Sequence, residues 1–298
     1  MSEPTARDVG EFRLIAAVTD RLTSSDAVLL GPGDDAAVLR FPDGRVVVTT
    51  DVLVEGVHFR RDWSSAYDVG RKAAAANLAD IAAMGGTATA LLVGLASPPD
   101  LPVSWALGLV DGLRDEAAVV GAVIVGGDTV TAEQIVVSVT ALGSIVGAPV
   151  TRAGAQVGDL VVLAGRLGWS AAGLRLLQQG VSDGPLVEAH RRPSPPYLLG
   201  PALAAAGATS MCDVSDGLVA DLGHLARASG VGIELDASLL ADPAVSRQDL
   251  LTGGEDHALV ATIAGAAPVG CRVIGRVVAG SQVLVDGAPV PGGWVHFS

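Results

Sequence analysis

Apolar positions along this chain come in two recurring arrangements. Short continuous runs rich in Val, Leu and Ile read as buried strands, and longer Ala/Leu-rich windows read as helices. Val46–Thr50 predicts a strand ending in two hydroxyls, and Tyr67–Met84 a helix stopped by Gly85-Gly86. Thr89–Leu95 predicts a strand, Pro102–Val120 a helix, Ala122–Val125 a strand that gives way to Gly126-Gly127, and Ile135–Ile145 a longer strand with partial alternation. Gly, Pro, Arg and Asp then cluster through 147–158, the candidate boundary between an N-terminal domain of residues 1–148 and a C-terminal domain of residues 149–298. In the second half, strands are expected at Leu160–Ala164, Thr209–Cys212, Gly232–Leu235, Ala258–Ile263, Arg272–Val277 and Gln282–Val285. Helices are expected at Ser170–Gln179, Leu198–Ala206 and Leu218–Ser229, with Arg191–Pro196 a proline-rich loop. Strands and helices alternate in both halves, so the fold class is α/β, with α+β-type mixed sheets.

Length and composition narrow this picture. A chain of 298 residues suits about two domains. Half of the residues are hydrophobic, which excludes disorder, whereas aromatics are only 3% and glycines number 38. The core is therefore built from Ala, Val and Leu, with close backbone approaches. The formal net charge is -13, which argues against a double-stranded nucleic-acid binder, a class that needs a basic face. Mean hydropathy is +0.48, yet the longest apolar stretches, Ala82–Ala96 and Ala117–Gly126, are interrupted by Gly and Thr and are too short to span a bilayer. The N-terminal residues carry no apolar signal core. A cytoplasmic protein without membrane contact is expected. Cys212 and Cys271 are far apart, which disfavours a disulfide framework or a zinc knuckle.

The placement of the carboxylates carries the chemistry. They fall among small residues where apolar runs end: Gly33-Asp34-Asp35, Thr49-Thr50-Asp51, Asn77-Leu78-Ala79-Asp80, Gly126-Gly127-Asp128-Thr129, Asp213-Val214-Ser215-Asp216-Gly217 and Gly253-Gly254-Glu255-Asp256. In α/β folds ligands bind beyond strand ends, at loops of this kind. Each site also has a plain structural reading: Gly-Asp-Asp is a turn composition, and Ser215 and Asp216 ahead of a helix are ordinary N-caps. Asp80 is the least ordinary, an acid inside an otherwise apolar helix. If the acids converge, bound cations must offset their repulsion. Oxygen donors without paired Cys or His select a hard cation, Mg²⁺, which partners phosphates.

Familiar nucleotide motifs are missing. Lys72, the only lysine, stands on a helix and not in a phosphate loop, and there is no kinase HRD or DFG sequence. Phosphate charge then falls to metals and to arginine, with Arg152 at the domain boundary the best candidate.

In order along the chain, Gly10-Glu11-Phe12, the acidic motifs above, Gly56-Val57-His58-Phe59, the run on to Ile81-Ala82-Ala83-Met84-Gly85, and Leu218 form a combination that resembles the thiamine-monophosphate kinase family, of the aminoimidazole-ribonucleotide-synthetase-like superfamily. The resemblance extends from Gly10 to Trp294. It implies a two-domain fold whose N-terminal domain pairs into a β-barrel in a homodimer, and Mg²⁺-dependent transfer of the ATP γ-phosphoryl group to thiamine monophosphate. By that pattern Asp35, Thr49, Thr50, Asp51, Asp80, Asp128, Asp213 and Asp216 match metal-associated positions. Gly127, Asp128, Arg152 and Ser215 match ATP contacts, and His58, Glu255 and Trp294 match substrate contacts. His257 departs from the tyrosine common there. His58 also reads as a structural histidine and Trp294 as a core closure.

Other readings stand beside this one: a related enzyme with another acceptor, a Mg²⁺-dependent phosphatase in which water replaces the acceptor, or a silent metal-binding module. Selenophosphate synthetases carry a reactive Cys or selenocysteine near the N-terminus, and the hydrogenase-maturation relatives a C-terminal Cys. No Cys precedes Cys212 or follows Cys271.

Overall fold

The computed structural model of the protein describes residues 4–30, 37–41 and 44–293. The chain divides into two compact units, Met1–Ile81 with Thr87–Ser144, and Ala82–Gly86 with Ile145–Ser298.

The first unit opens with helices α1 (Ala6–Val9) and α2 (Glu11–Thr19) and a small antiparallel pair, β1 (Val28–Leu30) and β2 (Val38–Leu39). There follow β3 (Val47–Val54), α3 (Ala66–Ala83), β4 (Gly86–Ser97), α4 (Val103–Ala118), β5 (Val123–Thr131) and β6 (Val136–Ile145). The main sheet has the order β3-β6-β4-β5, with β3/β6 antiparallel and β4/β5 parallel. Ser65 and Asp68 start α3 by capping each other: the Ser65 amide and hydroxyl donate to the Asp68 carboxylate at 3.0 and 2.7 Å, and the Asp68 amide donates back to Ser65 Oγ at 3.2 Å. Ala73, Ala74, Ala75 and Ala79 are fully buried, so this helix is enclosed almost all round.

Two of the strands that outrun their expected bounds do so through motifs read as their ends. β3 continues through Thr49-Thr50-Asp51, because Thr50 pairs with Thr140, Asp51 with Val139, and the ladder persists to Val54 opposite Val136. β5 continues through Gly126-Gly127-Asp128, with Gly127 opposite Val93 and Asp128 opposite Gly94. These acids therefore sit within strands, not beyond their ends. Gly127 is required there: a Cβ would lie 2.0 Å from the Val93 carbonyl oxygen.

The second unit contains β7 (Leu160–Ala164), α5 (Trp169–Gln178), α6 (Pro185–Arg191), α7 (Leu199–Ala205), β8 (Ala208–Val214), α8 (Leu218–Ser229), β9 (Gly232–Leu235), α9 (Ala237–Leu240), α10 (Arg247–Thr252), β10 (Ala258–Ile263), β11 (Cys271–Val278), β12 (Val283–Val285) and β13 (Ala288–Pro289). They build a seven-stranded mixed sheet in the order β13-β12-β9-β11-β7-β10-β8. All six residues of β10 are buried between β7 and β8. One face packs α8 and α10 through Leu218, Leu222, Leu225, Leu250 and Leu251. On the other, Leu203 of α7 meets Val162, Met211 and Ala261. Ala82 and Ala83, the end of α3, pack with Ala164 and Leu259. Among the described residues, no helix is long and apolar enough to cross a membrane.

Candidate active-site residues

In the first unit, the pleat of β3 separates its polar residues. Thr49 and Asp51 lie on the face toward α3, and Thr50 on the other. Thr49 Oγ1 donates to Asp80 Oδ2 at 2.6 Å, and the Asp51 amide donates to Asn77 Oδ1 at 3.1 Å. Asn77, one helical turn before Asp80, is fully buried and donates to the Ala73 carbonyl at 3.0 Å. One face of α3 thus brings Asn77 and Asp80 against β3, the strand that carries Thr49 and Asp51. Sequence reasoning singles out Asp80 but gives Asn77 no role of its own; the signal was a polar side chain three residues away in an alanine run. Thr50 Oγ1 instead donates to the Val139 carbonyl at 3.0 Å and lies 3.1 Å from Thr140 Oγ1.

Asp128 stands on β5, at the opposite end of the sheet from β3, and its carboxylate accepts from the Thr129 amide at 2.8 Å. His58 follows β3 in a turn, where Nδ1 accepts from the Val54 amide at 3.0 Å, which puts the ring proton of the neutral form on Nε2. Buried Lys72 donates to the His58 carbonyl at 3.2 Å. Asp35 and Trp294 lie outside the described residues.

In the second unit, Asp213 is the penultimate residue of β8 and its buried carboxylate lies 3.0 Å from His257 Nδ1. Ser215 and Asp216 are part-exposed in the turn that follows. Neither caps α8 by its side chain; its N-cap is Gly217. The carboxylate of Asp221, inside the helix, accepts from the amides of Asp216 and Gly217, both at 3.0 Å, and so fixes the turn. Burial pushes the Asp221 carboxyl up to about 7. Arg152 is exposed, and its carbonyl accepts from Ser229 Oγ at 3.1 Å.

Across from this turn, Glu255 and His257 both adopt left-handed backbone, φ 65° and 52°. The Glu255 amide donates to the Ser215 carbonyl at 2.9 Å and the His257 amide to the Val214 carbonyl at 3.1 Å. Three consecutive side chains then go to three different places. Glu255 Oε2 lies 3.6 Å from His190 Nδ1 on α6. Asp256 Oδ1 accepts from the Ser170 amide at the start of α5, 3.0 Å away. His257 meets Asp213. The second oxygen of Asp256 is buried without a partner, and burial pushes this carboxyl up to about 6.

The donors on β3 and α3 are all oxygens, as are those of the β8 turn apart from His257, and this set fits a hard cation. Among the described residues no three carboxylate, imidazole or thiol groups form a cluster able to hold a metal alone. A cation would take one or two protein carboxylates and complete its shell with phosphate oxygens, the habit of Mg²⁺.

Comparison with known proteins is consistent with this chemistry. Residues 33–145 match the N-terminal domain of AIR synthase related protein, and residues 156–286 its C-terminal domain. The thiamine-monophosphate kinase of Mycobacterium tuberculosis is 50% identical over 99% of this chain and 93% of its own. The crystal structure of thiamine-monophosphate kinase from Stenotrophomonas maltophilia K279a superposes with a TM-score of 0.80 at 35% identity, covering 94% of this chain and 96% of that one. AaThiL complexed with AMPPCP and TMP gives 0.80 at 34% identity, covering 98% of each chain. With both domains matched and half its residues shared along nearly its whole length, the chain belongs to the thiamine-monophosphate kinase family of AIR synthase related proteins.

Proposed function

We propose that this protein transfers the γ-phosphoryl group of ATP to thiamine monophosphate, giving thiamine diphosphate and ADP. The observation that carries the reading is near full-length similarity to AaThiL, whose structure holds AMPPCP, an ATP analogue, and TMP. The Thr49–Asp80 and Asp51–Asn77 pairings support it by presenting oxygen donors suited to a cation–phosphate complex.

The transfer is a single in-line displacement. An oxygen of the acceptor phosphate attacks the γ-phosphorus, and the bond to the bridging oxygen breaks as ADP leaves. The acceptor is mostly a dianion at pH 7, since a phosphomonoester has a second pKa near ~6, so no protein base is needed. The difficulty is the approach of two polyanions. Asp35, Asp51, Asp80, Asp128, Asp213 and Asp216, with Thr49 and Thr50, are the residues we assign to Mg²⁺. When bound, Mg²⁺ neutralises phosphate charge and aligns the reacting groups. Gly127, Ser215 and Arg152 serve the nucleotide, Arg152 as a guanidinium donor to phosphate oxygens. His58, Glu255 and Trp294 serve the acceptor. The protein works in the cytoplasm as a homodimer: β3 and β5 end the sheet among the described residues, and Val48 and Val52 leave one face of β3 exposed at 60% and 46%.

ADP formation measured with thiamine monophosphate, with free thiamine and with neither tests the proposal. Activity is expected only with the monophosphate, and Asp51→Asn and Asp80→Asn are expected to lose at least about a hundredfold while melting as the wild type does. Phosphate release without the acceptor would establish a phosphatase instead. ATP chiral at the γ-phosphorus is expected to give inversion, whereas retention would require two transfers.

A further inference from the structure

Four residues from three separate stretches of the second unit form a closed chain of contacts that the reaction described above does not use in full. Glu255 Oε2 lies 3.6 Å from His190 Nδ1. The same nitrogen lies 3.0 Å from Ser170 Oγ. The Ser170 amide is held by Asp256 Oδ1 at 3.0 Å, and Asp256 follows Glu255 in the chain. Ser170 is fully buried and His190 is 4% exposed, whereas the Glu255 side chain keeps 34% of its surface. The ring therefore has a rigid, dry side and one carboxylate that reaches solvent.

His190 is placed with little freedom. It stands on α6, and α6 lies against α5 so closely that a Cβ on Gly173 would meet the Leu186 carbonyl at 2.0 Å and His190 Cβ at 3.0 Å. On the other side, Glu255 is held in left-handed backbone by the hydrogen bond its amide donates to the Ser215 carbonyl. Such conformations cost free energy and persist only where surrounding contacts enforce them. The backbone fixes where the Glu255 side chain starts, and the imidazole lies at its end.

We propose that His190 is a positioning residue for the acceptor substrate: its Nδ1, steadied by Ser170, holds the Glu255 carboxylate in the orientation in which it meets thiamine monophosphate. This rests on the reading of Glu255 as an acceptor contact. The phosphate is the attacking end of that substrate, so Glu255 is matched to the opposite end, where a cationic thiazolium and an aminopyrimidine offer positive charge and N–H donors. Without the imidazole, Glu255 keeps its charge but samples more rotamers, and binding of the acceptor bears the ordering cost. The residues assigned to the nucleotide, Gly127, Ser215 and Arg152, do not depend on the orientation of this carboxylate, so ATP binding is expected to change little.

The test is a double-mutant cycle on the full-length enzyme, with KM measured separately for each substrate. His190→Ala and Glu255→Gln are each expected to raise the acceptor KM about tenfold and leave the ATP KM within twofold. The double variant is expected to match Glu255→Gln, because His190 acts on the acceptor only through that carboxylate. His190→Asn, whose amide nitrogen replaces Nδ1, is expected to recover most of the loss; His190→Gln, which reaches the Nε2 position instead, is not. That pair decides the matter even if His190→Ala does not fold. An unchanged acceptor KM in Glu255→Gln would overturn the role of Glu255 itself. Additive effects, a parallel rise in the ATP KM, or equal activity of the Asn and Gln variants would overturn the role of His190 while leaving Glu255 in place.

Discussion

Asp256 shows how one residue can store a pH dependence. Its carboxylate closes the start of α5 through the Ser170 amide, yet its other oxygen is buried with no partner. A protonated carboxyl suits that environment better than a charge, and the group titrates at about 6 rather than 3.8. Between those values the folded protein holds a proton that the unfolded chain has released. Its contribution to stability is therefore complete below pH ~4 and is lost as pH rises through 6, by roughly 3 kcal/mol at most. Melting curves between pH 4 and 7, recorded without metal or substrate, are expected to fall more steeply for the wild type than for Asp256→Asn. Parallel profiles would show that the proton is not there. His190, Ser170 and Asn77 could not be assigned roles from the sequence for a related reason. Their partners, Glu255, Asp256 and Asp51, lie far away in the chain, and only the packing of helices against strands brings them into contact. Asp80 stands out in the sequence because a lone acid among alanines contradicts its own surroundings, and the structure gives it a polar partner in Thr49.

Elements bounded by local signals are legible in the sequence, and those bounded by pairing are not. β7, α8, β9 and β10 span the residues their apolar patterns predict, each ending at Gly, Ser or a polar cluster. β3 and β5 outrun their predicted ends, since the hydroxyl and diglycine motifs look like terminators while the neighbouring strands keep the ladder going. α6 is short and goes unread in the sequence; the proline-rich loop expected at Arg191–Pro196 begins at its last residue. The diglycine on β5 is a packing device as well as a candidate nucleotide contact. Gly127→Ala is expected to destabilise the protein by about 1–3 kcal/mol or more, because the methyl meets a backbone oxygen that cannot give way. Gly265→Ala, where a Cβ meets nothing within 4 Å, is the matched control and is expected to change stability by less than about 0.5 kcal/mol. Equal denaturation midpoints for the two variants would contradict the close approach at Val93.

At the scale of the whole molecule, an exposed face on an end strand predicts self-association. Sedimentation at micromolar concentration is expected to show a dimer, and Val48→Asp with Val52→Asp to shift it to monomer while each chain stays folded. A wild-type monomer would leave those valines without a partner. The division of the chain into units has a different outcome, during synthesis. Ala82–Gly86 interrupt the first unit yet belong to the second, where Ala82 and Ala83 pack on Ala164 and Leu259. As the ribosome releases the chain, that helical turn emerges long before its neighbours exist. At ordinary elongation rates the wait for Leu259 is roughly ten to thirty seconds. Throughout that interval Ala82 and Ala83 lack the strand partner that helps to bury them in the folded chain. The end of α3 thus reaches its packed state only after β10 has been made, a delay set by how far along the chain its partners lie.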